Sequence, residues 1–288
     1  MGRFDVYHEI QKLDPEHDCQ RIVYLVGAYE FPFTIQRSLE FALFRTFAIP
    51  SIAKLLVETG QFASHGQKRY DDTALLVAEF SEYGYESERG LAAIRRMNQM
   101  HHRFSISNDD YLYVLSTFIL EPIRWNKALA WRRATEKENQ ANYYFWREIG
   151  RRMGIKNIPP SLEAFDQFNR DYERQHFVNN PHSEAVARDT VRVFTDWFPA
   201  FLRPAVRWSI YALLDDPLRE TFGFPKAPRW LTWTLFKLMC VRAGLMRLLP
   251  PRRTPFSLTR HRNRSYPTGY TLDQLGPVKS DMAKHSTP

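Results

Sequence analysis

The chain has almost no cysteine: Cys19 and Cys240 are the only two in 288 residues, far apart and without metal-ligand spacing. A disulfide framework, a zinc site and the Cys-x-x-Cys-His anchor of covalent haem are therefore all excluded. Glycine is sparse, strand-like alternation is nearly absent, and proline falls where turns are wanted. The N-terminus, Met1-Gly2-Arg3-Phe4-Asp5-Val6, lacks the apolar run of a signal peptide, and Val6 spoils a myristoylation match. An intracellular protein, cytoplasmic or peripheral to a membrane, is the expectation. Acidic residues are missing between Glu220 and Asp273, where ten cations fall: Lys226, Arg229, Lys237, Arg242, Arg247, Arg252, Arg253, Arg260, Arg262 and Arg264. Those ten exceed the whole net charge of +8, so the basicity belongs to one segment and the remainder is slightly acidic.

What is present is an aromatic-rich, helix-patterned chain. An apolar fraction of 44% with 15% aromatics is too rich for disorder and long enough to bury a core. Apolar spacing predicts helices near 15–29, 34–47, 50–59, 71–83, 87–104, 108–129, 135–153, 161–176, 182–197, 202–214 and 228–248. Several starts carry caps: Ser87 before Glu88, the run Asn108-Asp109-Asp110, and Thr135-Glu136-Lys137-Glu138 as a capping box. No internal repeat is visible. The expectation is all-α, with one helical domain over 1–253 (core from about Asp14) and a basic, proline-rich, disordered tail over 254–288.

Two short segments carry the candidate chemistry. Arg69 and Thr73, four residues apart, share one helix face. In the next helix Leu91, Ile94, His101 and Phe104 fall on one apolar stripe, whereas His102 sits about 100° around on the wetter side. A buried imidazole is what an axial metal ligand needs. From spacing alone, a satisfied core histidine and an ion pair of Arg69 with Asp71 or Asp72 stand as the plainer readings.

Arg69-x-x-x-Thr73 followed by a helical His101 resembles the haem-holding signature of the rubber oxygenase/mpaB oxygenase family. The preceding Leu39–Ile52, the following Ile106–Phe118, and Glu121-Pro122-Ile123-Arg124-Trp125 resemble the same family, on its mpaB branch, over about Asp14 to Arg253. The resemblance implies a globin-like helical core and non-covalent haem b with His101 as axial iron ligand. It also places Arg69 and Thr73 in the pocket. Arg69 would either bond a haem propionate or sit on the distal side against dioxygen, the co-substrate, and Arg96 and Arg124 are further candidates for propionate contact. Arg95 and Arg96 equally suit solvent or pairing with Glu86 or Glu88. The implied activity is oxidative attack on, or cleavage of, a carbon–carbon double bond in a hydrophobic substrate, isoprenoids among the candidates. The alternative is a non-catalytic haem- or lipid-binding protein of the same fold at a membrane surface. Where rubber oxygenases carry a lysine before the motif threonine, this chain has Asp72, so a lysine-gated closed state is not implied.

Two other patterns have competing readings. Glu173-x-x-His176 is half of a di-iron carboxylate signature, but no second Glu-x-x-His exists, and a cation closing a helix is the simpler account of His176. Within the segment 228–253, the twenty residues Trp230–Leu249 are long enough to cross a bilayer, yet Lys237, Arg242 and Arg247 lie inside them. The segment reads either as a packed helix with snorkelling cations or as an interfacial helix anchored by Trp230 and Trp233, making peripheral membrane contact. No groove-reading motif supports nucleic-acid binding.

Overall fold

The computed structural model describes residues 2–277, and every regular element among them is helical, as expected. The element that positions the site is a helical hairpin of α5 (Gln61–Tyr83) and α6 (Glu88–His101). Gly84 makes the turn at φ +86, a conformation that L side chains avoid. Ser87 then caps α6 by accepting the Gly90 N–H at 3.0 Å. Gly90 is required for a different reason: a Cβ there would collide with the Gly84 carbonyl oxygen.

Around this hairpin pack α1 (Asp5–Lys12), α2 (Cys19–Leu25), α3 (Pro32–Thr46), α4 (Pro50–Glu58), α7 (Asn108–Leu129) and α8 (Glu136–Arg152). The second half adds α9 (Leu162–His176), α10 (Pro181–Thr195), α11 (Arg203–Leu213), α12 (Asp216–Thr221) and α13 (Arg229–Leu248). One core cluster joins α2, α5, α6, α7 and α8 through residues such as Ile22, Leu75, Phe80, Ile119, Phe145 and Ile149. A second joins α3, α10, α11 and α12 through Phe44, Val186, Ile210, Leu218 and Phe222. Proline sits at the first turn of α3, α4, α10, α11 and α12, where its missing N–H costs nothing. Pro122, by contrast, lies inside α7 and removes the hydrogen bond that the Phe118 carbonyl would accept.

Three expectations need correction. The helix placed at 71–83 begins ten residues earlier, at Gln61, with a kink at His65 (φ −134, ψ 34). The short α1 and α12 were not anticipated, being eight and six residues long and too brief to show a period. Finally, residues 254–277, expected to be disordered, lie against α5 and α6. The cause is a row of carboxylates on α5 that needs donors. Glu82 accepts from the Ser257 and Thr259 hydroxyls at 2.6 Å each, and Asp71 from the Ser265 hydroxyl at 2.6 Å. The Tyr266 and Tyr270 hydroxyls donate to Asp72 and Glu79, both at 2.5 Å. Lys68 and Arg96 then hold backbone carbonyls of the segment, at Gly276 and Leu275. Residues 278–288, the rest of that expected tail, lie outside the described residues.

Candidate functional site

The antiparallel hairpin brings the two sequence candidates together by simple counting. Arg69 lies fourteen residues before Tyr83, where α5 ends, and His101 lies fourteen residues after Ser87, where α6 begins. Both therefore stand about 21 Å from the turn, on facing helices. The two groups feel each other: burial first, and then the charges of Arg69 and His102, together push the His101 imidazole down to about 4. His101 is thus neutral at ordinary pH, the form of imidazole that can ligate a metal. Its ring packs edge-on against Tyr111, with centroids 5.8 Å apart. Its Nδ1 is shielded from solvent and has no hydrogen-bond partner.

Arg69 is in a comparable state. Burial lowers its pKa, with the charge of Asp72 pulling the other way. Asp72 itself is taken by Lys68 (2.9 Å) and by the Tyr266 hydroxyl (2.5 Å), and Asp71 by Gln67 and Ser265. Among the described residues the Arg69 guanidinium forms no ion pair and no hydrogen bond, so the pairing expected on spacing alone is not made. The Thr73 hydroxyl donates to the Arg69 carbonyl at 3.0 Å.

Beside this pair lies an apolar cavity of about 180 Å³, walled by α2, α3, α5, α7 and α8 and closed by Phe256 and Leu258. Val23, Leu39, Leu43, Val77, Phe118, Phe145 and Trp146 are among its apolar lining. Thr73 reaches its wall, as do Tyr70 and Val77 on the same face of α5; Arg69 and His101 do not. Pro122 and Phe118, flanking the broken α7 hydrogen bond, are both on the wall.

The remaining candidates are occupied elsewhere. Arg96 donates to the carbonyls of Leu275 (2.9 Å) and Asp273 (3.1 Å). Arg124 is bound by Glu121, Asp166 and Asn169, each at 2.9 Å, and lies about 20 Å along α7 from the Tyr111 that touches His101. Arg95 and His102 are exposed. His176 stacks on Tyr172, and Glu173 serves Arg45 and Tyr113, so the half di-iron motif is a structural pair. Among the described residues there is no group of three or more His, Cys, Asp or Glu that could hold a metal ion. A single imidazole with an unpartnered nitrogen, opposite an uncommitted guanidinium, fits an iron porphyrin with carboxylate side arms better than a bare ion.

Sequence reading missed one polar pair in the cavity. Glu40 lies on its wall, accepting from the Tyr70 hydroxyl at 2.5 Å and pairing with Arg37 at 2.6 Å. Burial raises its pKa to about 7, against the opposing pulls of Arg37 and Tyr70. A lone Glu in the run Leu39-Glu40-Phe41-Ala42-Leu43 was the available signal, but nothing in the sequence shows its meeting with Tyr70, thirty residues on.

Comparisons with known proteins give relatives in sequence and a match in fold. The chain is 32% identical over 244 residues to the ER-bound oxygenase mpaB' of Penicillium brevicompactum, covering 78% of this chain and 57% of that protein. It is 32% identical over 209 residues to the ER-bound oxygenase mpaB of Penicillium roqueforti, covering 66% and 70% respectively. Its fold matches the latex clearing protein in the closed state with a TM-score of 0.56 at 14% identity, over 84% of this chain and 70% of that one. Residues 39–248 match the family described as ER-bound oxygenase mpaB/B'/rubber oxygenase, catalytic domain, and the chain belongs to that family of oxygenases.

Proposed function

We propose that the chain is a haem-b-dependent oxygenase acting on a hydrophobic substrate with a carbon–carbon double bond, an unsaturated isoprenoid being the best fit. The observation that carries this reading is the shielded, unpartnered Nδ1 of the neutral His101 beside an Arg69 that no carboxylate claims. His101 would hold the iron and Arg69 a propionate. Haem, when bound, supplies the redox chemistry with dioxygen.

The chain's own residues do the rest. The apolar wall of the cavity binds and orients an aliphatic chain and excludes water. Thr73, whose hydroxyl donates to the Arg69 carbonyl, lies on that wall. Glu40, poised near neutrality against Tyr70, can hold a proton inside an otherwise apolar space. Cleavage of one double bond by one dioxygen balances as two carbonyls, with both oxygen atoms in the products and no external reductant.

A second reading is favoured by one observation. The cavity is lined by Tyr70 and Thr73 but by neither His101 nor Arg69, as suits a non-catalytic haem or lipid carrier. The two are separated by incubating the haem-loaded protein with squalene under air and under nitrogen, then trapping carbonyls with a hydrazine. An oxygenase yields trapped aldehyde or ketone under air alone. A haem-retaining protein that yields none in either atmosphere is the carrier.

A further inference from the structure

Exposed apolar side chains are not scattered over this molecule. Of sixteen large hydrophobics that stand exposed among the described residues, thirteen belong to three neighbouring places: the start of α3, the turn 198–202 with α11, and α13 with Leu249. Soluble monomers rarely leave such a group together on one side. On α13, Trp230, Val241, Leu245 and Leu248 fall within about 60° of one another, with Trp233 on the flank. Trp230 is 68% exposed and Leu248 84%. Next to α13 packs α11, with Trp208 on it and Phe201 just before it, the latter 80% exposed.

The charge along α13 and the chain that follows it has one sign. No acidic residue occurs from 221 to 272, whereas Arg229, Lys237, Arg247, Arg252 and Arg253 all fall on or just after α13. Lys237 lies near the middle of the outward apolar stripe, where a long stem can follow the apolar surface and carry its ammonium outward. The paired tryptophans stand at the N-terminal end, the place of an interfacial anchor. A second copy of the chain docking here would set these cations against themselves. A bilayer carrying anionic headgroups would satisfy both the apolar stripe and the charge. No helix among the described residues is long and apolar enough to cross a membrane, so the contact is with the surface.

The geometry points to a membrane-docking face built from α13, the 198–202 turn with α11, and the first turn of α3, with an anionic phospholipid surface as its partner. The cavity shares this side of the molecule. Arg242 of α13 lies 3.8 Å over the ring of Phe33, and the neighbouring Pro32, Ile35 and Gln36 are cavity wall. An apolar substrate dissolved in the bilayer would therefore meet the protein beside its cavity. This inference does not depend on haem or on turnover, and its test uses neither.

The full chain is sedimented with vesicles of phosphatidylcholine alone and with about 30% phosphatidylserine added. Binding to the anionic vesicles is expected to be about tenfold tighter and to weaken as salt is raised. Tryptophan emission should shift to the blue on binding. Trp230→Glu combined with Leu248→Glu should cut anionic-vesicle binding by about tenfold or more while leaving the thermal unfolding curve in place, because both side chains are exposed. Failure to bind anionic vesicles, or undiminished binding by the double variant, would overturn the assignment. So would a concentration-dependent dimer in light scattering that the double variant abolishes, since it would give the face to a second copy.

Discussion

Arg45 and Arg69 both feel the cost of burial, and they differ in what meets them. Arg45 of α3 donates to both oxygens of Glu173 at 2.8 and 2.7 Å and to Asp215 at 2.5 Å, with Glu121 at 3.8 Å. Burial alone would lower its pKa, but the bonds and charges of Glu173, Glu121 and Asp215 outweigh it and raise the value well above normal. Glu173 also accepts from Tyr113, so α3, α7, α9 and the turn before α12 are pinned at one point. Arg69 of α5 has no such closure; burial wins there, and the neighbouring His101 is equally without a partner on Nδ1. A closed cluster belongs to the fold. An open pair gains nothing from the chain itself, and under the proposed function a bound group would complete it.

The largest effect that would break this contrast is Arg45→Met. Removing Arg45 leaves Glu173 without its ion-pair partner, while Glu121 keeps Arg124, and urea unfolding should show a loss of about 3–5 kcal/mol. A loss below about 1 kcal/mol would mean that the cluster is no pin. Next comes Glu40→Gln. Burial pushes the folded carboxyl up to about 7, above its ordinary value of 4.5. The wild type therefore loses stability as pH rises from about 4.5 to about 7, because the unfolded chain ionises first. That group's share of the loss is about 3 kcal/mol, the variant should be free of it, and the difference between the two proteins isolates it. A difference that does not change across that window would place Glu40 outside the cavity.

Arg69→Met should change stability by no more than about 1 kcal/mol, since no carboxylate is left behind. A cost as large as that of Arg45→Met would show that Arg69 is also part of the framework. The smallest effect is Tyr70→Phe. It removes a hydrogen bond to Glu40 that favours the charged form, so the carboxyl pKa should rise further, at a stability cost of about 1 kcal/mol. Comparing the pH-dependence of that variant's unfolding with the wild type reads both.

Much of this was legible in advance, for identifiable reasons. Helix periods and caps located α6, α7 and α8, and the Thr135–Glu138 capping box forms as read. The apposition of Arg69 and His101 follows from equal distances to one turn. The ordered 254–277 segment was not legible: its composition is that of a loose tail, and its order comes from the carboxylates of α5. Arg96 and Arg124 were attractive as cations near the motif, yet partners distant in sequence had already taken them. The outward face of α13 was ambiguous because its cations recur every five residues and circle the helix; exposure separated the stripe from the packed side. Glu40 and Tyr70 meet only because α3 crosses α5.

The most direct test is the visible spectrum of the protein produced with ample haem, compared with His101→Ala and His102→Ala. The expected result is a Soret band in the wild type, its loss in His101→Ala, and its retention in His102→Ala. A wild type without the band, or a band that survives in His101→Ala and disappears in His102→Ala, would contradict the assignment of iron to His101.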